Sequence, residues 1–121
     1  MTLAVISEAI PEYQTYSARR YERVKYAVEA AASIWLISPD HIRAKLGSRT
    51  SSFPKGAVAL VCKDIFGISY KEIGRKLGGF DHSTIMYHRS KFLKATETDE
   101  HLAAKLSKMR RWAEQELRVW P

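Results

Sequence analysis

From Ser17 onward the apolar residues recur at three- and four-residue spacing, and each run is bracketed by residues that start or stop a helix. Val24, Val28, Ala31 and Trp35 form one such stripe, which predicts a helix from Ser17 to about Ile37. Ser38-Pro39-Asp40 supplies an N-cap, a proline at the first helical position and an acid in the first turn, and Gly47 closes a short second helix. Residues 48–53, SRTSSF, read as a polar loop. Pro54 then opens a third helix to about Phe66, with Val58, Val61, Cys62 and Ile65 inward and Gly67 as terminator.

Ser69-Tyr70-Lys71-Glu72 has the form of a capping box, in which the Ser69 hydroxyl accepts the Glu72 N–H and the carboxylate reaches back. The helix it opens places Ile73 and Leu77 one turn apart and stops at Gly78-Gly79. Asp81 is positioned to cap a longer helix of about residues 82–94, with Ile85 and Phe92 inward and Arg89 at the edge. Thr98 is the expected cap of a last helix carrying Leu102, Leu106, Met109, Ala113 and Leu117. No strand is needed. The expectation is an all-α fold of about six helices, containing a helix-turn-helix at about 70–77 and 82–94. Residues 1–16 lack periodicity and are interrupted by Pro11, so they read as a partly ordered arm before a domain of residues 17–121.

Composition narrows the picture. The 121 residues suit one domain, and 45% apolar content is enough for a modest core. No apolar run approaches the ~18 residues of a membrane span. The start, MTLAVISEAIPEY, has no basic stretch and two glutamates, unlike a secretory signal. The single cysteine, Cys62, cannot form an internal disulfide, which fits a reducing cytoplasm, and its apolar neighbours suggest a small buried side chain. Charge is unevenly placed. The chain carries a net +7, yet residues 41–94 alone hold 11 basic and 3 acidic residues. A surplus confined to one segment is the footprint expected for a polyanionic partner.

The densest chemistry lies in GGFDHSTIMYHR, residues 78–89. Asp81, His82 and Ser83 look like members of a catalytic triad, but neighbouring helical residues point about 100° apart and cannot bond one another in a chain. No nucleophile elbow occurs, and no enzyme activity is expected. His82 and His88 are six apart on different helix faces, His41 and His101 are isolated, and no CxxC or HExxH occurs. Neither a metal nor a cofactor is expected. A third reading fits the spacing. A short capped helix, a glycine turn and a second helix with small polar side chains in its first turn make a helix-turn-helix, whose second helix enters the major groove. An aspartate there can accept from the cytosine amino group, and a histidine can meet guanine or a thymine methyl.

The same residues resemble the C-terminal DNA-binding domain of the bacterial replication initiator DnaA. Its signature is close to GGRDHTTV, against GGFDHSTI here, and the similarity runs upstream through AVALVCKDIFGISYKEIGRKLGG. It covers roughly residues 28–118 and is most specific in 69–85. The resemblance implies that Asp81, His82 and Ser83 touch bases and Thr84 a phosphate. It places Lys55 facing the groove, Lys63 on a phosphate, and Ser69 with Tyr70 where a helix start meets the backbone. Arg49 lies in the loop that sends arginine into the minor groove. Two departures stand out: Phe80 replaces the signature's arginine, and SRTSSF holds a single arginine. They imply weaker binding or a different sequence choice.

No GxxxxGK[ST] occurs, so the expectation is a recognition domain without the ATPase module. The function expected is double-stranded DNA binding at initiator-box-like sites by a cytoplasmic, nucleoid-associated monomer that regulates replication or transcription. The alternative is regulation through protein contacts with the initiator or its inactivating factors.

Overall fold

The structure, a computed structural model, describes residues 18–45 and 49–121. These residues form helices α1 (Arg23–Trp35), α2 (Pro39–Arg43), α3 (Arg49–Asp64), α4 (Tyr70–Leu77), α5 (His82–Thr96) and α6 (Glu100–Val119). A helical turn at residues 18–21 precedes α1 and is offset from it at Glu22. Among the described residues there is no strand, so the fold is all-α. The arm at 1–16 and the Gly47 terminator lie outside the described residues.

α3 is the central element, and α1, α5 and α6 pack around it. Every side chain from Ala57 to Cys62 is buried, the mark of a helix surrounded on all sides rather than laid on a core. Val24, Val28 and Ala31 of α1 and Leu102, Leu106, Met109 and Ala113 of α6 are buried against it, as their stripes predict. Phe92 of α5 joins the layers, meeting Trp35 edge-on at 5.7 Å and Phe53 at 6.0 Å between ring centroids. Cys62 is fully buried, and burial pushes its thiol far above the ordinary range, so it is a packing residue.

The last turn of α6 is anchored electrostatically. Glu116 is buried, and Arg19 donates to both of its carboxylate oxygens at 2.5 and 2.6 Å. The Arg19 guanidinium also lies 3.6 Å from the centre of the Tyr26 ring, and Arg23 donates to the Trp120 carbonyl. These bonds fasten the chain just before α1 to the end of α6.

Several element boundaries differ from the sequence expectation. α1 stops at Trp35 because Leu36 turns left-handed, with φ 57°, and donates its N–H to the Ala32 carbonyl. α2 stops at Arg43, where Ala44 becomes extended and its carbonyl accepts from Lys55 Nζ at 2.8 Å. α3 starts at Arg49, so SRTSSF is not a loop throughout and Pro54 lies inside the helix. Pro54 has no N–H to give the turn before it, and Ser51, Ser52 and Lys55 beside it are buried, with Lys55 Nζ 3.1 Å from the Ser51 hydroxyl. The cap of α6 is Asp99, not Thr98: its Oδ1 accepts from the N–H groups of His101 at 2.9 Å and Leu102 at 3.1 Å.

Candidate nucleic-acid interface

α4 and α5 are joined by a turn that only glycine allows. The Ser69 hydroxyl accepts the Glu72 N–H at 3.2 Å and starts α4 in the expected place. The other half of the capping box is absent. The Glu72 carboxylate turns forward to Arg75 at 2.6 Å and Lys76 at 3.6 Å, because two cations one turn ahead compete with a single backbone N–H. At the far end the Gly74 carbonyl accepts from Gly78, and from Gly79 and Phe80 at 2.9 Å each, while Gly78 and Gly79 adopt φ of 141° and 86°. This folds Phe80 back over the turn. A Cβ on Gly74 would lie well inside van der Waals contact of the Phe80 carbonyl oxygen, so the turn approaches α4 as closely as a bare backbone permits.

Phe80 does not project beside α5. It is half-buried against the core, and its ring lies under Gly78 and 5.3 Å from Lys55 Nζ. It caps the glycine turn. Lys55 corrects the sequence expectation of a groove-facing cation. It is 1% exposed, its ammonium bonds Ala44 and Ser51, and burial holds its pKa below the usual lysine range. Where the resemblance implies a contact with DNA, this residue ties the α2–α3 connection to α3.

α5 begins beyond Phe80. Asp81 occupies the N-cap position but its side chain makes no capping bond and is exposed, contrary to the expected cap. The free carboxylate is available outward, and the N–H groups of the first turn keep no side-chain acceptor. His82 and Ser83 are exposed and Thr84 is half-buried. Ile85 and Phe92 are buried, and Arg89 reaches the edge to pair with Asp64 at 2.6 Å. A second group gathers at the start of α4. Lys63 Nζ lies 5.1 Å from the centre of the Tyr70 ring, next to the exposed cap Ser69. Arg49 is the first residue of α3, and its side chain lies outside the described residues.

Three exposed cations are not among the residues that the sequence singles out. Lys45 Nζ stands beside the Gly79 turn, while Lys91 and Lys94 follow on α5. The helical phase opposite Ile85 and Phe92 is the signal that marks Lys94, while Lys91 stands on the flank of that helix. Among the described residues no three His, Cys, Asp or Glu side chains gather as a metal site. No described helix is long and apolar enough to cross a membrane.

His88 is half-buried on α5, behind its exposed start. It shares a hydrogen bond of 3.0 Å with the Ser52 hydroxyl, and burial, aided by the Lys55 and Lys91 charges, lowers its pKa. The unfolded chain therefore binds a proton more readily than the folded one. The resulting stability is complete above the unfolded histidine value of about 6.5 and is lost as pH falls through it toward the folded value. The melting temperature should drop on acidification from about pH 7.5 to about pH 5, and His88→Gln should flatten that drop. Parallel profiles for the two proteins would refute the assignment.

A capped helix, a turn closed by glycines and a second helix with short polar groups at its exposed start define a helix-turn-helix DNA-binding domain. Comparison with known proteins agrees. The family described as "Bacterial dnaA protein helix-turn-helix" matches residues 24–91, more than half of the chain. The chain belongs to that family. Among its relatives is the chromosomal replication initiator protein DnaA of Magnetococcus marinus, 26% identical over 110 residues, which are 91% of this chain and 24% of the relative. The DnaA of a Geobacter strain is 30% identical over 79 residues, 60% of this chain and 17% of that protein. The DnaA of Chloroflexus aggregans is 24% identical over 110 residues, 91% of this chain and 23% of that protein. The chain thus spans about a quarter or less of the length of these relatives. No solved structure matches it significantly.

Proposed function

We propose that this chain reads duplex DNA at sites like the initiator's nine-base boxes, with α5 in the major groove, and thereby regulates the start of replication or transcription. The observation that carries this reading is the state of the α5 start: Asp81, His82 and Ser83 are all exposed, and the Asp81 carboxylate is not spent on capping. Asp81 accepts from a cytosine amino group, and His82 and Ser83 meet neighbouring base edges. Thr84 and the first-turn N–H groups hold a phosphate. Lys63, Ser69 and Tyr70 grip the backbone at the start of α4, and Arg49 serves the minor groove. Nothing in these roles requires nucleotide hydrolysis. The protein acts by occupancy, as a monomer on the nucleoid of the cytoplasm.

The test separates reading from holding. His82→Ala should reduce discrimination between an initiator-type box and a scrambled duplex by about 1–3 kcal/mol. Lys63→Ala should instead weaken both duplexes alike and flatten the log–log salt slope by about one. Fluorescence anisotropy titrations read both, and thermal melts establish that the variants are folded. Identical behaviour of the two variants would overturn the assignment of roles. No binding to either duplex by the unsubstituted chain would overturn the function itself.

A further inference from the structure

α5 presents two large apolar side chains that neither the core nor the proposed contacts employ. Met86 is 45% exposed and Tyr87 60%. On a helix turning 100° per residue they lie one turn beyond His82 and Ser83, on the side away from buried Ile85 and Phe92. The same exposed stripe continues through Ser90 to Lys94. It therefore grades from short polar groups, through apolar ones, to a cation. Tyr87 is also braced. Its ring meets the His88 ring edge-on at 5.6 Å, and Lys91 Nζ stands 5.8 Å from its centre and 5.9 Å from that of Phe53. A ring held in this way loses less freedom when a partner arrives.

We infer that Met86 and Tyr87 are specificity-determining residues that read thymine through its C5-methyl group, at base steps adjoining those met by His82 and Ser83. The inference rests on the DNA-reading function proposed above and names part of what is read. The early turns of a recognition helix are the ones that lie along base edges. In the major groove each base edge offers donors, acceptors or both, and thymine alone adds a methyl. A thioether has no proton to donate to a phosphate, so Met86 gains nothing from the backbone. The backbone partners on this stripe are the lysines farther along.

The full chain would be used to select its preferred duplex from a randomised pool, and each thymine of that duplex replaced singly by uracil, which removes only the methyl. At one or two thymines the replacement should weaken binding about three- to fivefold, the worth of one buried methyl. That loss should shrink toward none in Met86→Ala or Tyr87→Ala, whose exposed positions leave the melting temperature nearly unchanged. If no uracil replacement matters, or if the losses persist undiminished in both variants, the methyl reading is overturned while DNA reading stands. A selection that returns no preferred duplex overturns both.

Discussion

Raising salt from about 50 to about 200 mM should weaken binding to duplex DNA roughly 250- to 1,000-fold, through a log–log slope of about −4 to −5. The magnitude follows from which cations the fold leaves available. Of the basic residues in 41–94, Lys55 is buried, Arg89 is held by Asp64, and Arg75 and Lys76 share Glu72. Among the described residues, Arg43, Lys45, Lys63, Lys71, Lys91 and Lys94 have no carboxylate within ion-pair distance. Engaging about four to six phosphates releases as many condensed counterions, each adding about 0.9 to the slope. Anisotropy titrations with one duplex across a salt series measure it directly. A slope near zero would remove duplex DNA as the partner and move attention to protein contacts.

Gly74→Ala should destabilise the protein by about 3 kcal/mol, lowering the melting temperature by roughly 10 °C or more. The new methyl would press on the Phe80 carbonyl oxygen and stand 3.4 Å from Ile85 Cγ1. The first of these is backbone, held by the three N–H groups that converge on the Gly74 carbonyl, so it cannot rotate aside as a side chain would. Relief requires moving the turn and with it the start of α5, so DNA affinity should fall together with stability. Gly67→Ala is the comparison. Gly67 has φ +70° and nothing within 4 Å of an added Cβ, so only backbone strain of about 1–2 kcal/mol is expected. Equal melting temperatures for the two variants would mean that the turn stands farther from α4 than a bare-backbone contact.

Several of these features are legible in the amino-acid sequence alone. Ser38 and Ser69 cap within three residues of themselves, Gly67 and Gly78-Gly79 end helices by their own φ, and the stripes of α1 and α6 repeat along one helix. Such signals are local: the donor, the acceptor and the periodicity lie within a turn or two of one another. The order of helices, the helix-turn-helix and the exposed His82-Ser83 start of α5 all follow from them, while GGFDHSTI separately carries the family resemblance. They lose force only where two local candidates compete, as Asp99 does with Thr98, or Arg75 with the Ser69 N–H for Glu72.

Tertiary packing decided the rest, because burial depends on which elements meet. α3 is enclosed by α1, α5 and α6, which is why Ala57, Ala59 and Leu60 are buried although one stripe alone was expected to face inward. Pro54 lies inside α3, next to Lys55, whose ammonium bonds both the Ser51 hydroxyl and the Ala44 carbonyl beyond the end of α2. Lys55 has the composition of a DNA contact, yet the Ala44 carbonyl, the Ser51 hydroxyl and the Phe80 ring meet around it and draw it inside. The sequence by itself determined the helices, the glycine turn and the chemistry at the start of α5. Arg75 and Lys76 pair with Glu72 on their own helix, but only the tertiary structure decided that Arg89 is taken by Asp64 and Lys55 drawn inside by Ala44 and Phe80, and hence which cations remain free for a polyanion.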